Sequence, residues 1–282
     1  MTDGAVDWVQ RWEGEEGAHW VDEAERYDMM NRAFGEAMLD AADLQPGERL
    51  LDVGCGNGAT TIEAARQVHP GGAALGVDLS SRMLTLARER AAAADVGEAE
   101  FLQADVQVHA FEEGKCDVVV SRFGVMFFDD PPVAFANLAR ALRPGGRMVF
   151  VAWQDMTRSE WIMVPGAAAA GHVGLPEGIA PNAPGPFALA DPDRIREILD
   201  QAGFTGLSLE ELTRPMRIGD DLDDVETFFT RSLPLVRDLL AAAPADKAAA
   251  AIDAARKALE PYARPEGVVM NENGAWLVTA RR

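Results

Sequence analysis

The sequence predicts an α/β protein with a doubly wound, mostly parallel sheet, and three observations carry that prediction. From residue 49 onward, short apolar runs alternate with amphipathic stretches of helical period. The first run, Leu50, Leu51 and Val53, leads through Gly54, Gly56 and Gly58 into TTIEAARQV, which is strand, glycine loop and helix in order. Asp52, Asp78 and Asp105 stand at or near the ends of three successive runs, where open α/β sheets bind ligands.

Before that alternation, residues 5–48 carry Tyr27, Met30, Phe34 and Met38 at three- and four-residue spacing, which predicts a helix from Asp22 to Asp43 stopped by Gln45-Pro46-Gly47. WVQRWEGEEGAHW, with three of the six tryptophans, is too interrupted for a regular core element and reads as an aromatic flap. After the glycine loop, Ala73–Val77 is a second strand, followed by Asp78 and a helix capped by Ser80 or Ser81. AEFLQADVQ gives a third strand ending near Asp105. CDVVVSRFGVMFF gives a fourth, with Ser121, Arg122 and Phe123 at its carboxyl end. Pro131-Pro132 opens a helix to Leu142 with Asp129 or Asp130 as its cap, and RMVFVAW is the fifth strand. Residues 154–190 read as an irregular excursion with a helix near 161–170, and 191–204 as a capped amphipathic helix. TGLSLEEL is the sixth strand, 219–264 a helical pair broken near Pro244, and GAWLVTARR the last strand. The units are therefore 1–48, 49–153, 154–190, 191–218, 219–264 and 265–282, with the two excursions positioned to meet as a cap.

Composition bounds the function. The chain has 282 residues, 48% of them apolar, enough to bury a sizeable core. Its 26 basic and 46 acidic residues leave a net charge of −20, which argues against nucleic acid and anionic membrane surfaces. Two cysteines, Cys55 and Cys116, form no disulfide framework and no metal spacing, so a cytoplasmic protein is expected. The opening MTDGAVDWVQ has no signal-peptide pattern, and no apolar run approaches the roughly 18 residues of a membrane span.

The glycine loop admits two readings. Gly54, Gly56 and Ala59 satisfy a dinucleotide fingerprint, and Asp78 lies twenty residues after Gly58, where an acid binds ribose hydroxyls. Asp52 favours the other reading, because an anion before the turn repels a pyrophosphate. It suits a ligand bearing an ammonium and a carboxylate, such as the amino-acid end of S-adenosylmethionine (SAM). An NAD(P)-dependent oxidoreductase and a SAM-binding protein that does not transfer methyl stay as the alternatives.

LDVGCGNG, Asp78, Ala104-Asp105, FGVMFFDDP and LRPGG, in this order over 49–152, resemble the class I SAM-dependent methyltransferases, in the branch acting on quinones and natural products. The resemblance implies a Rossmann-like, seven-stranded sheet with an antiparallel last strand, an N-terminal helical flap and helical cap insertions. It also implies methyl transfer from SAM, with S-adenosylhomocysteine (SAH) as product, to O, N or C of a small-molecule acceptor. Under it, Asp52, Gly54, Cys55, Gly56 and Gly58 hold the methionine end, and Asp78 takes the ribose with Leu79 and Met83 on the adenine face. Ala104, Asp105 and Val106 meet the adenine amine. Ser121 and Arg122 floor the sulfonium end. The resemblance also turns Phe123 toward the acceptor; beside it, Tyr27 is read as the flap residue that reaches the cofactor, and Trp20, Met126 and Trp153 as further acceptor candidates.

A general base is needed only where the accepting atom is protonated. Of His19, His69, His109 and His172, His19 in the flap is the preferred catalytic candidate. Asp129-Asp130 and the acids at 220–224 read as helix caps, so no metal site is expected. The expected partner is the small-molecule acceptor, with a homodimer as the assembly considered.

Overall fold

The computed structural model describes residues 8–174 and 183–282. The expectations that fall on 1–7 and on 175–182 of the excursion lie outside the described residues. In chain order the elements are α1 (Trp8–Glu13), α2 (Glu15–Asp22), α3 (Ala24–Ala42), β1 (Arg49–Val53), α4 (Ala59–Val68), β2 (Ala73–Asp78), α5 (Ser81–Ala93) and β3 (Ala99–Gln103). There follow β4 (Cys116–Arg122), α6 (Pro131–Ala141), β5 (Leu142–Trp153), α7 (Glu160–Val173), α8 (Pro192–Gln201) and β6 (Thr205–Gly219). The last are α9 (Leu222–Thr227), α10 (Pro234–Ala242), α11 (Ala245–Leu259), β7 (Ala263–Arg264) and β8 (Gly267–Arg281).

The strands lie side by side as β3-β2-β1-β4-β5-β8-β6, with the two-residue β7 paired to β8. β1 to β5 are mutually parallel, and β8 runs antiparallel to both β5 and β6. The chain order reverses at β1, between β2 and β4. The carboxyl ends of these strands therefore diverge into a crevice, which is where such a sheet holds its ligand. β1 reads as an apolar run because both its faces are covered: Leu50, Leu51 and Val53 are each 2% exposed or less. α3 lays Tyr27, Met30, Phe34 and Met38 into the same core.

Several boundaries differ from the sequence expectation. β6 and β8 are each 15 residues long, because they pair with one another well beyond the stretches that also border β5. The aromatic flap is regular after all. It forms two short helices broken at Gly14, with α2 packed on α5 and its Gly17 pressed against the end of α1, where a Cβ would stand 1.9 Å from the Trp12 carbonyl oxygen. The helical pair after β6 is three helices, interrupted at Leu233-Pro234 as well as at Pro244. α7 and α11 pack against each other over the crevice. Among the described residues, no helix is long and apolar enough to cross a membrane.

Candidate active site

β1 delivers Asp52 to the crevice flanked by β2 and β4, and this enclosure leaves the residue 1% exposed. One carboxylate oxygen accepts a hydrogen bond from Thr61 Oγ1 at 2.6 Å. Burial pushes the carboxyl up to about 6 from its ordinary 3.8, against the opposing pull of that hydroxyl and of Arg122. A carboxylate held in this way is short of a cation. The loop that follows is built by its glycines, for two separate reasons. Gly54, at φ +67°, allows its backbone within reach of the β4 loop, since a Cβ would stand 2.7 Å from Gly124 Cα. Gly56, at φ +53°, has no atom nearer such a Cβ than Met83 Sδ at 3.8 Å, so it keeps the loop wall open.

The Gly56 amide donates to Asp78 Oδ2 at 2.8 Å, and the Ser80 amide donates to Oδ1 at 2.9 Å. Both bonds fix the Asp78 carboxylate at the end of β2. Burial raises its pKa, opposed by those amides. Asp105 lies just beyond β3 and accepts from the Gln107 amide at 2.9 Å. Also in the lining, the Phe123 ring stacks on Trp153 at 4.0 Å, and Trp20 stacks on Tyr27 at 3.8 Å. Phe123 is a non-glycine residue at φ +65°, a strained backbone position beside the site.

These groups face one cavity of about 1850 Å³. Tyr27, Asp52, Gly54, Cys55, Gly56, Asp78, Leu79 and Met83 line it, as do Ala104, Asp105, Val106 and Arg122. Trp20, Phe123, Met126 and Trp153 line it as well.

Three expected residues lie elsewhere. Gly58 caps α4 outside the cavity lining; a Cβ there would meet Ala87 Cβ at 2.7 Å, so the glycine serves helix packing. Ser121 is fully buried, and its hydroxyl donates to the Val53 carbonyl at 2.7 Å and accepts from the Gly124 and Val125 amides. It holds the turn that carries Phe123 and does not border the cavity. His19 is also outside the lining: its Nε2 lies 2.7 Å from the Tyr27 hydroxyl, and desolvation lowers its pKa.

Sequence reasoning missed others. Asp28 lines the cavity and accepts from Arg122 at 3.1 Å and Arg90 at 2.8 Å. Asn57 donates to the Trp20 carbonyl at 2.8 Å, tying the glycine loop to the flap, and its Oδ1 is buried without a partner. Glu13 accepts from the Ser81 amide and hydroxyl and from Gln103, which docks the flap on the start of α5 and lowers the Glu13 pKa. The one available signal was Asp28 itself, a charge next to Tyr27 on an otherwise apolar helix face.

Comparison with known proteins agrees with this geometry. Residues 51–150 match the family model described as a methyltransferase domain. Nocamycin O-methyltransferase of Saccharothrix syringae is 33% identical over 181 residues, covering 61% of this chain and 65% of that protein. Demethylmenaquinone methyltransferase of Bacillus cytotoxicus is 30% identical over 145 residues, covering 48% of this chain and 61% of that one. The chain thus spans less than two thirds of the length of either relative. In fold, the Haemonchus contortus phosphoethanolamine N-methyltransferase 2 in complex with SAM superposes with a TM-score of 0.58 at 20% identity, covering 100% of this chain and 61% of that one. By the domain match, residues 51–150 are similar to a methyltransferase domain, and the strand order and strand-end carboxylates agree with that likeness.

Proposed function

We propose that this protein transfers a methyl group from SAM to an oxygen, nitrogen or carbon atom of a small-molecule acceptor by in-line displacement. The observation that carries the proposal is the row of Asp52, Asp78 and Asp105 at the ends of three parallel strands, all lining one cavity. Carboxylates only accept hydrogen bonds, so the row suits a ligand that offers donors along its length: an ammonium, a ribose diol and an adenine amine. A dinucleotide pyrophosphate would meet a buried carboxylate instead. When bound, SAM supplies an electrophilic methyl group on its sulfonium.

The chain's own residues then bind, orient and exclude water. Asp52 pairs with the ammonium and Gly56 keeps the loop wall open. Asp78, pinned by two amides, is positioned for the ribose without further ordering. Phe123, Met126 and Trp153 form the wall an acceptor packs on, and orientation of this kind contributes up to roughly 7–11 kcal/mol in model reactions. His19 acts through the Tyr27 hydroxyl as a positioning residue, with Trp20 stacked on the other partner of that pair. His19→Ala is expected to lower kcat about tenfold with the SAM Kd within about twofold, and Tyr27→Phe to do the same. An unchanged kcat in either variant removes the pair from the reaction. A reducing, cytoplasmic setting is supported by two free thiols, and a non-nucleic-acid acceptor by the charge of −20.

The test is thermal unfolding with SAM, SAH, NAD and NADP in separate samples. A ligand at about a hundredfold its Kd adds roughly 2.7 kcal/mol. A rise with SAM and SAH alone supports the assignment, and a rise confined to the dinucleotides overturns it. SAH formation across a panel of acceptors then separates transfer from binding alone.

A further inference from the structure

The cavity's volume, about 1850 Å³, is well above the roughly 300–1,000 Å³ of ordinary ligand pockets, so it has room for a second sizeable molecule beside SAM. That room lies toward the cap. α7, α9, α10, α11 and the turns between them present Trp161, Ile162, Phe229, Leu240, Ile252 and Leu259, among other apolar residues, to the cavity. The only polar side chains these segments contribute among the described lining residues are Glu226, Thr230 and Arg256.

Charge in the whole lining is equally uneven. No lysine is present among the described lining residues, and the arginines are Arg11, Arg122 and Arg256. Each is already committed: Arg11 to Glu16 at 3.3 Å, Arg122 to Asp28 at 3.1 Å, and Arg256 to Asp223 at 2.5 Å and Glu226 at 3.0 Å. A phosphate or carboxylate on the acceptor would enter an apolar lobe with no free cation to meet it, and desolvating that charge would go uncompensated.

We infer that the cap lobe binds an uncharged, predominantly apolar acceptor of polycyclic or long-chain size. This assignment rests on the methyltransferase reading for its chemistry, but it can be measured without turnover.

The probes are a matched pair, 1-pyrenemethanol and 1-pyrenecarboxylate, titrated into full-length protein at pH 7.5, with and without SAH, and followed by pyrene fluorescence. The alcohol is expected to bind about tenfold or more tightly than the carboxylate. Leu240→Glu is expected to abolish its binding while the thermal response to SAH persists. Ile252→Glu, on a different helix, repeats the measurement if the first variant does not fold. Equal or tighter binding of the carboxylate, no binding of either probe, or alcohol binding untouched in a folded Leu240→Glu or Ile252→Glu protein would overturn the proposal. Alcohol binding with no thermal response to SAH would leave the acceptor class standing and remove the cofactor assignment instead.

Discussion

The strand-end half of the cavity and the helical half that covers it are built on opposite principles. At the strand ends, Asp52 and Asp78 are buried carboxylates held by one or two short hydrogen bonds from Thr61, Gly56 and Ser80. In the cover, apolar side chains from four helices face inward with the Arg256–Glu226 ion pair among them, and Arg26 bridges α3 to Asp224 of α9 at 2.6 Å outside the lining. A ligand end of fixed polar chemistry demands particular groups at particular atoms. An apolar ligand demands volume and exclusion of water, which many side chains supply interchangeably.

Asp52→Asn is expected to break this contrast most sharply. Removing one partner of a buried charge pair costs about 3–5 kcal/mol, so SAM affinity should fall by more than about a hundredfold in calorimetric titration. The ligand-free variant should nevertheless be the more stable protein at pH 7.5. The folded carboxyl titrates near 6, above its ordinary 3.8, so ionised Asp52 costs stability above pH 6 and nothing below pH 4, where both folded and unfolded states are protonated. The cost is at most about 3 kcal/mol, visible as a higher Tm for the variant. By the same shift, SAM affinity of the natural protein should decline as pH falls through 6, by about tenfold per unit.

Gly54→Ala tests the backbone side of the same half. Alanine there must hold φ +67° and push on Gly124, which should cost about 2–4 kcal/mol in chemical denaturation and weaken SAM as well. Changes in the cover should spare the cofactor. Arg26 donates to Asp224 through two nitrogens and to the Ile218 carbonyl, and its guanidinium lies 4.7 Å from the Phe228 ring. Arg26→Met is expected to raise the acceptor KM about five- to tenfold with the SAM Kd within about twofold. Glu13→Gln loosens the flap on α5 and should speed SAH release by roughly two- to threefold in stopped-flow fluorescence, with Tm nearly unchanged. Weaker SAM binding in Arg26→Met would mean that cover and strand ends are one cooperative unit.

The same contrast explains what the residue order disclosed. Asp52, Asp78 and Asp105 were legible because strand period and a glycine turn place strand-end residues without reference to the rest of the chain. Gly58 and Ser121 were assigned to the ligand because they stand in the same short stretches, yet one packs a helix and the other holds a turn. Spacing along the chain does not say to which side a residue points after the turn. Asn57 and Glu13 were not legible as site residues, and Asp28 left only its charge beside an apolar helix face as a signal, because their partners lie between 33 and 94 positions away.

From the residue order came the parallel strand-helix alternation and the strand-end placement of Asp52, Asp78 and Asp105, since each rests on interactions within about one strand-loop-helix unit, while resemblance added the antiparallel last strand. Long-range packing settled the remainder: the strand order with its reversal at β1, the insertion of β8 between β5 and β6, the flap folded onto α5, and the pairing of α7 with α11 above the crevice. The distinction is physical. Backbone geometry and hydrogen bonding act locally and leave a pattern in sequence, whereas the acceptor lobe is a volume enclosed by side chains from Trp161 to Leu259, and a volume exists only once those helices have met.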